Sequence, residues 1–104
     1  HREEVIRFLR ALLKARRWID EHRQEAAEFL AEELDMKPAL ARRGLDYYVD
    51  QRAWDPLLRI DLDGLKTVIA VYAEQADLKG PLPDPAKYVD SSYLEQALGE
   101  LGWK

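Results

Sequence analysis

Apolar residues recur along the chain at the three-to-four-residue spacing of a helix face, not at the two-residue alternation of a half-buried strand. Val5, Phe8, Leu9, Leu12, Leu13, Ala15 and Ile19 make the first run, with Arg7, Arg10, Lys14 and Arg17 on the other side, so an amphipathic helix is expected over residues 2–20. The polar stretch Asp20-Glu21-His22-Arg23 interrupts that run. Ala26, Ala27, Leu30 and Leu34 then line a second helix over 23–34, with Glu25, Glu28 and Glu32 facing elsewhere. Pro38 suits the first position of a helix, where its missing N–H costs no bond, and Ala41, Leu45, Tyr48 and Val49 carry a third helix over 38–49.

Trp54-Asp55-Pro56 marks a connector, because the residue before a proline is pushed out of the α region. Asp61 or Asp63 can cap a fourth helix over 62–78, whose buried stripe would be Leu65, Val68, Ile69, Tyr72 and Ala76. Three of the chain's five prolines fall in the short stretch from 80 to 85 and exclude a helix or central strand there. Asp90, Ser91 and Ser92 precede a last helix over 91–101, with Tyr93, Leu94, Ala97, Leu98 and Leu101 on its apolar face. No strand pattern of useful length and no repeat of fixed period occurs. The expected fold is therefore all-α: about five short amphipathic helices forming a single domain or fragment over 1–104, with a proline-rich turn before the last.

Composition narrows the class. A chain of 104 residues can enclose only one modest core. Its 47% hydrophobic and 35% charged residues set it apart from disordered sequences. No apolar run approaches the roughly 20 residues that cross a bilayer. Cysteine is absent, which rules out a disulfide framework and a thiolate metal site. Net charge is −4 but unevenly placed. Arg2, Arg7, Arg10, Lys14, Arg16, Arg17 and Arg23 outnumber Glu3, Glu4, Asp20 and Glu21 in the opening segment, and the remainder is acidic, which argues against a nucleic-acid partner. No secretory signal pattern heads the chain. The first helix lacks a capping Ser, Thr, Asp or Asn ahead of it, so the natural chain is expected to extend upstream.

The residues that could carry chemistry are few. Serine and threonine hydroxyls come only from Thr67, Ser91 and Ser92, and the two serines stand where a helix needs a cap. His1 and His22 are the only imidazoles; His22 and Glu25 share an i, i+3 spacing, but two ligands do not make a site. Asp61-Leu62-Asp63-Gly64 has the look of a calcium loop, yet aligning Gly64 with the required glycine puts Arg59 first and Ala70 last, so a helix start is expected instead. Glu32 and Glu33 point in neighbouring directions and form no dyad. No catalytic residue, metal site or cofactor is expected, and the chain is not expected to be an enzyme. The basic stripe Arg7, Arg10, Lys14 and Arg17, with Trp18 beside it, could meet phosphate or an anionic membrane but reads as a solvated face. Trp18, Tyr47, Tyr48, Trp54, Tyr72 and Tyr88 read as core in preference to ligand-stacking residues.

The order of these features carries a resemblance that none of them carries singly. The run from Ala15-Arg16-Arg17-Trp18-Ile19-Asp20-Glu21 to Gln24-Glu25-Ala26-Ala27-Glu28-Phe29-Leu30-Ala31-Glu32-Glu33-Leu34 resembles a helix pair near the end of one family of periplasmic solute-binding proteins. That family serves ABC importers of nitrate, sulfonates, taurine and thiamine precursors. Pro38-Ala39-Leu40-Ala41-Arg42-Arg43 is similar to its next helix start, and Leu78-Lys79-Gly80-Pro81-Leu82-Pro83-Asp84-Pro85 to the turn after its long helix. Tyr88-Val89-Asp90-Ser91-Ser92-Tyr93-Leu94-Glu95-Gln96-Ala97-Leu98 is similar to its closing Asp-capped helix. The family often has Asn-Pro where His22-Arg23 stands, and a glycine at Asp35 or Met36.

The resemblance runs from about Val5 onward and covers only the C-terminal part of such a protein. It implies two upstream α/β lobes closing on a small solute, these helices packed mainly on one lobe, a periplasmic location and contact with an ABC permease. The ligand-binding residues would lie upstream, so none is assigned in this chain. It also implies exposed apolar surface on the helices in isolation, open to self-association. Two other readings stand beside it: a stand-alone interaction module whose basic first helix docks an acidic partner, and an enzyme of the thiamine-pyrimidine synthase kind, which needs catalytic residues this chain lacks.

Overall fold

The structure, a computed structural model, describes residues 1–103. They form an all-α arrangement: α1 (Arg2–Glu21), α2 (Arg23–Glu33), α3 (Pro38–Asp50), α4 (Leu62–Gln75), a 3-10 turn (Pro85–Tyr88) and α5 (Ser92–Leu101).

Two small cores divide the packing. In the first, α2 and α3 make a hairpin around Ala27, Ala31, Ala41, Leu45 and Val49, sealed at its edges by Ile19, Leu30 and Met36. Three alanines at this contact let the two backbones approach closely. In the second, Ile6 and Leu13 of α1 meet Ala97 and Leu98 of α5, with Leu57, Leu58 and Trp103 folded over them. The rod α1 joins the two, lending its first half to one core and Ile19 to the other.

Four helices stop in the same way. A residue one or two positions past the end takes a left-handed backbone, at Asp35 (φ 50), Arg52 (φ 55), Asp77 (φ 52) and Gly102 (φ 70). The next N–H reaches back five residues: Met36 to the Ala31 carbonyl, Ala53 to Tyr48, Leu78 to Ala73 and Trp103 to Leu98. This ties off otherwise orphaned carbonyls. It also explains why α4 ends at Gln75 and not at the expected residue 78: Leu78 is turned back onto the helix.

Helix starts follow the acidic signals more than the hydroxyls. Asp61 caps α4, accepting from the Asp63 amide at 3.1 Å. At α5 the serine-cap expectation is corrected. Ser91 makes no capping bond, and Asp90 accepts instead from the Ser92 amide at 3.0 Å and the Ser92 hydroxyl at 2.6 Å. That hydroxyl first, then the amide, holds the Asp90 carboxyl below its ordinary value.

The chain is under-packed for its size. Its Cα radius of gyration is 17.1 Å, whereas a compact chain of this length has about 13 Å. Its accessible surface is 8090 Å², against about 6,000 Å² for a folded monomer of this mass.

Candidate interaction surface

Large apolar side chains stand exposed on every helix but the last, those of α4 and one side of α1 among them. On α4, Leu65, Val68, Ile69, Tyr72 and Ala73 share one arc of the helix, and only Ala73 is fully buried. Val68 and Tyr72 are 62% and 65% exposed. The returning segment through Leu78, Pro81 and Leu82 and the 3-10 turn after it cover the helix in part, leaving a half-open trough of about 580 Å³ along it. A second groove of about 550 Å³ opens between the starts of α1, α4 and α5, walled by Val5, Leu58, Ile60, Leu62, Val89 and Leu94. Leu62 belongs to this groove and also to a polar-rimmed cleft that runs to Ile69 and Pro83, so apolar surface continues along α4.

On α1 the expected inward stripe is split, which corrects the sequence reading. Ile6 and Leu13 are buried, but Val5, Phe8 and Leu12 face outward, because α5 covers only one flank of a broad apolar arc. The aromatic expectation is corrected as well. Trp18, Tyr47, Tyr48, Trp54, Tyr72 and Tyr88 are all exposed, not core. Tyr48 stacks on Trp54 at 5.5 Å and meets Tyr47 edge-on at 5.8 Å, forming an external ladder beside the α3 terminus.

The basic stripe does not stay together either. Arg10 pairs with Glu100 of α5, and Arg17 lies 3.4 Å over the Trp103 ring as a cation–π contact. Arg10 therefore clamps α1 to α5, and Arg17 clamps it to the residue that folds back just past α5. Arg7 and Lys14 have no ion-pair partner among the described residues. The hairpin carries its own clamp. Arg23 reaches Asp46 at 3.2 Å and Asp50 at 3.1 Å, and Arg42 reaches Asp46 at 3.0 Å. Desolvation alone would raise the Asp46 pKa, but hydrogen bonds from Arg42 and Arg23 outweigh it and lower it below 3.8. The same pairing, led by the Asp50 hydrogen bond, raises Arg23.

One polar residue inside the fold was missed by the pattern reading. Arg16 is buried to 6% exposure. It donates to the Trp54 carbonyl at 3.1 Å and lies 2.8 Å from the Asp20 carboxylate. Its Nε has no acceptor, and the NH1 contact with Asp20 is a charge contact off the donor axis. The available signal was an arginine set within the apolar arc of α1, flanked by Leu9, Leu12 and Leu13.

The remaining candidates are dispersed. His22 stacks on Trp18 with centroids 4.7 Å apart, and its Nδ1 lies 3.0 Å from the Trp18 carbonyl. Among the described residues no three His, Cys, Asp or Glu side chains gather where a metal could bind. Thr67 spends its hydroxyl on the Asp63 carbonyl of its own helix. No described helix is long and apolar enough to cross a membrane. No protein family, curated protein or solved structure matches the chain.

Proposed function

We propose that this chain is a helical layer completing a larger protein, namely the C-terminal helical part of a periplasmic solute-binding subunit of an ABC importer for a small organic or anionic solute. The observation that carries the first half is the surplus of roughly 2,000 Å² of accessible surface over a sealed monomer of this mass. The exposed apolar residues of α4 and the grooves beside it belong to that surface, and an α/β lobe would cover them.

The second half draws on the resemblance, and the two departures from the family bear on it. Arg23 is the first residue of α2, the one helical position that accepts the family's proline without loss. Asp35 holds the left-handed backbone that the family's glycine would take. Both family residues would thus fit the backbone found here. In this reading the solute touches the upstream lobes, the helices serve assembly and permease contact, and the chain does no chemistry. The rival reading, docking through a basic first helix, is weakened by the engagement of Arg10 with α5 and of Arg17 with Trp103.

Grafting tests the proposal. This chain replaces the corresponding helices of a sulfonate-binding protein, and solute binding is measured by calorimetry. A folded chimera that binds sulfonate, and that loses the hydrophobic-dye binding shown by the chain alone, is the expected result. A chain that binds no dye alone and yields only unfolded chimeras would remove the reading.

A further inference from the structure

The destinations of the polar bonds divide the molecule. Arg10 with Glu100 and Arg2 with Gln96 tie α1 to α5, and Arg23 with Asp46 and Arg42 with Gln24 tie α2 to α3. In residues 61–89, by contrast, every described hydrogen bond and ion pair begins and ends within the stretch itself. Thr67 donates to the Asp63 carbonyl, Leu78 to the Ala73 carbonyl, Lys79 pairs with Asp77, and Asp84 accepts from the Ala86 amide. The helix of this stretch, α4, belongs to neither core and packs on the 3-10 turn that follows it. Leu58, Ile60 and Leu62 at one end and Ala86, Val89 and Asp90 at the other line the same groove, so the chain leaves and returns at one place.

The stretch is also weak in its own right. With 14 residues, α4 has the length at which isolated helices, below about 12–15 residues, are marginal in water. Thr67, Val68, Ile69 and Val71 are β-branched and lose side-chain freedom in a helix, and Gly64 adds a backbone entropy cost. Holding it are the Asp61 cap and a half-open trough against Leu78, Pro81, Leu82 and Tyr88.

We propose that residues 62–88 form a hinged flap that opens and melts as a unit while both cores stay folded. Opening parts α4 from its returning segment, and neither half has another element to hold it. Covering the apolar arc of α4 closes this equilibrium, so helix order and docking are coupled there. The flap does not depend on the transporter reading, whose grafting test is scored separately.

Amide hydrogen exchange of the full chain, followed by nuclear magnetic resonance, tests it. Amides of α4 should exchange about a hundredfold or more faster than the slowest amides of α1 and α5, and should respond only weakly to urea below the unfolding transition. Ile6→Val trims the α1–α5 core without emptying it. It should speed exchange of those slow amides by about two- to tenfold and leave α4 unchanged, because the flap opens without that core. Trypsin should cut after Lys66, inside α4, before it cuts after Lys14, inside α1. Protection of α4 equal to that of α1 and α5, equal acceleration of all three by Ile6→Val, or cleavage at Lys14 ahead of Lys66 would each overturn the proposal.

Discussion

Helices α2 and α4 reverse the usual link between composition and burial. The α2 sequence is largely glutamate and alanine, yet α2 lies against α3 with Ala27 and Ala31 sealed. The α4 sequence carries Leu62, Leu65, Val68, Ile69, Val71 and Tyr72, yet it buries only Ala73 and belongs to neither core. Burial here follows whether a partner exists within the chain. An apolar helix without one presents surface for something else to cover.

Core truncation breaks this comparison most directly. Leu13→Ala or Leu98→Ala should cost about 2–5 kcal/mol in urea unfolding, whereas Val68→Ala or Tyr72→Ala should stay within about 0.5 kcal/mol. Equal losses in both sets would mean that α4 is covered after all. A smaller effect is expected where a charge is buried. Asp20→Asn leaves the Arg16 guanidinium with the Trp54 carbonyl alone and should cost about 1–3 kcal/mol. Arg16→Met removes the desolvated charge itself and should lie closer to neutral, measured by the same unfolding. The opposite ranking would remove Arg16 from its place as a strained tie.

The smallest effect concerns the hairpin clamp. Because the folded state lowers the Asp46 pKa, its stabilising contribution is complete above the unfolded value and is lost as pH falls through the folded value. Asp46→Asn should therefore lower the midpoint of thermal unfolding slightly at neutral pH. Wild type and variant should converge under acid conditions, once the wild-type carboxyl is protonated. A gap that persists in acid would assign the loss to packing instead of charge.

The helices were legible because their punctuation is local: Pro38 at a first turn, Asp61 at a cap and the proline cluster each act on their own backbone. The overrun of α4 to residue 78 arose because Asp77, not a glycine, takes the left-handed stop. Which face turns inward was only partly legible. The α1 pattern defines a broad apolar arc, but only the position of α5 decides that Ile6 and Leu13 are covered while Phe8 is bare. The same limit misplaced the aromatics, since helical spacing alone cannot reveal that no element arrives to cover Tyr47 or Tyr72.

Finally, α1 is an unbroken rod of 20 residues, about 30 Å long, with a core bolted to each end. Adding one residue between Leu13 and Ile19 would swing the hairpin by about 100° around the α1–α5 pair, and only insertions near whole turns would restore its facing. Sequence drift in this rod is thus constrained in phase as well as in polarity, because its length sets how the two halves of the molecule are aimed.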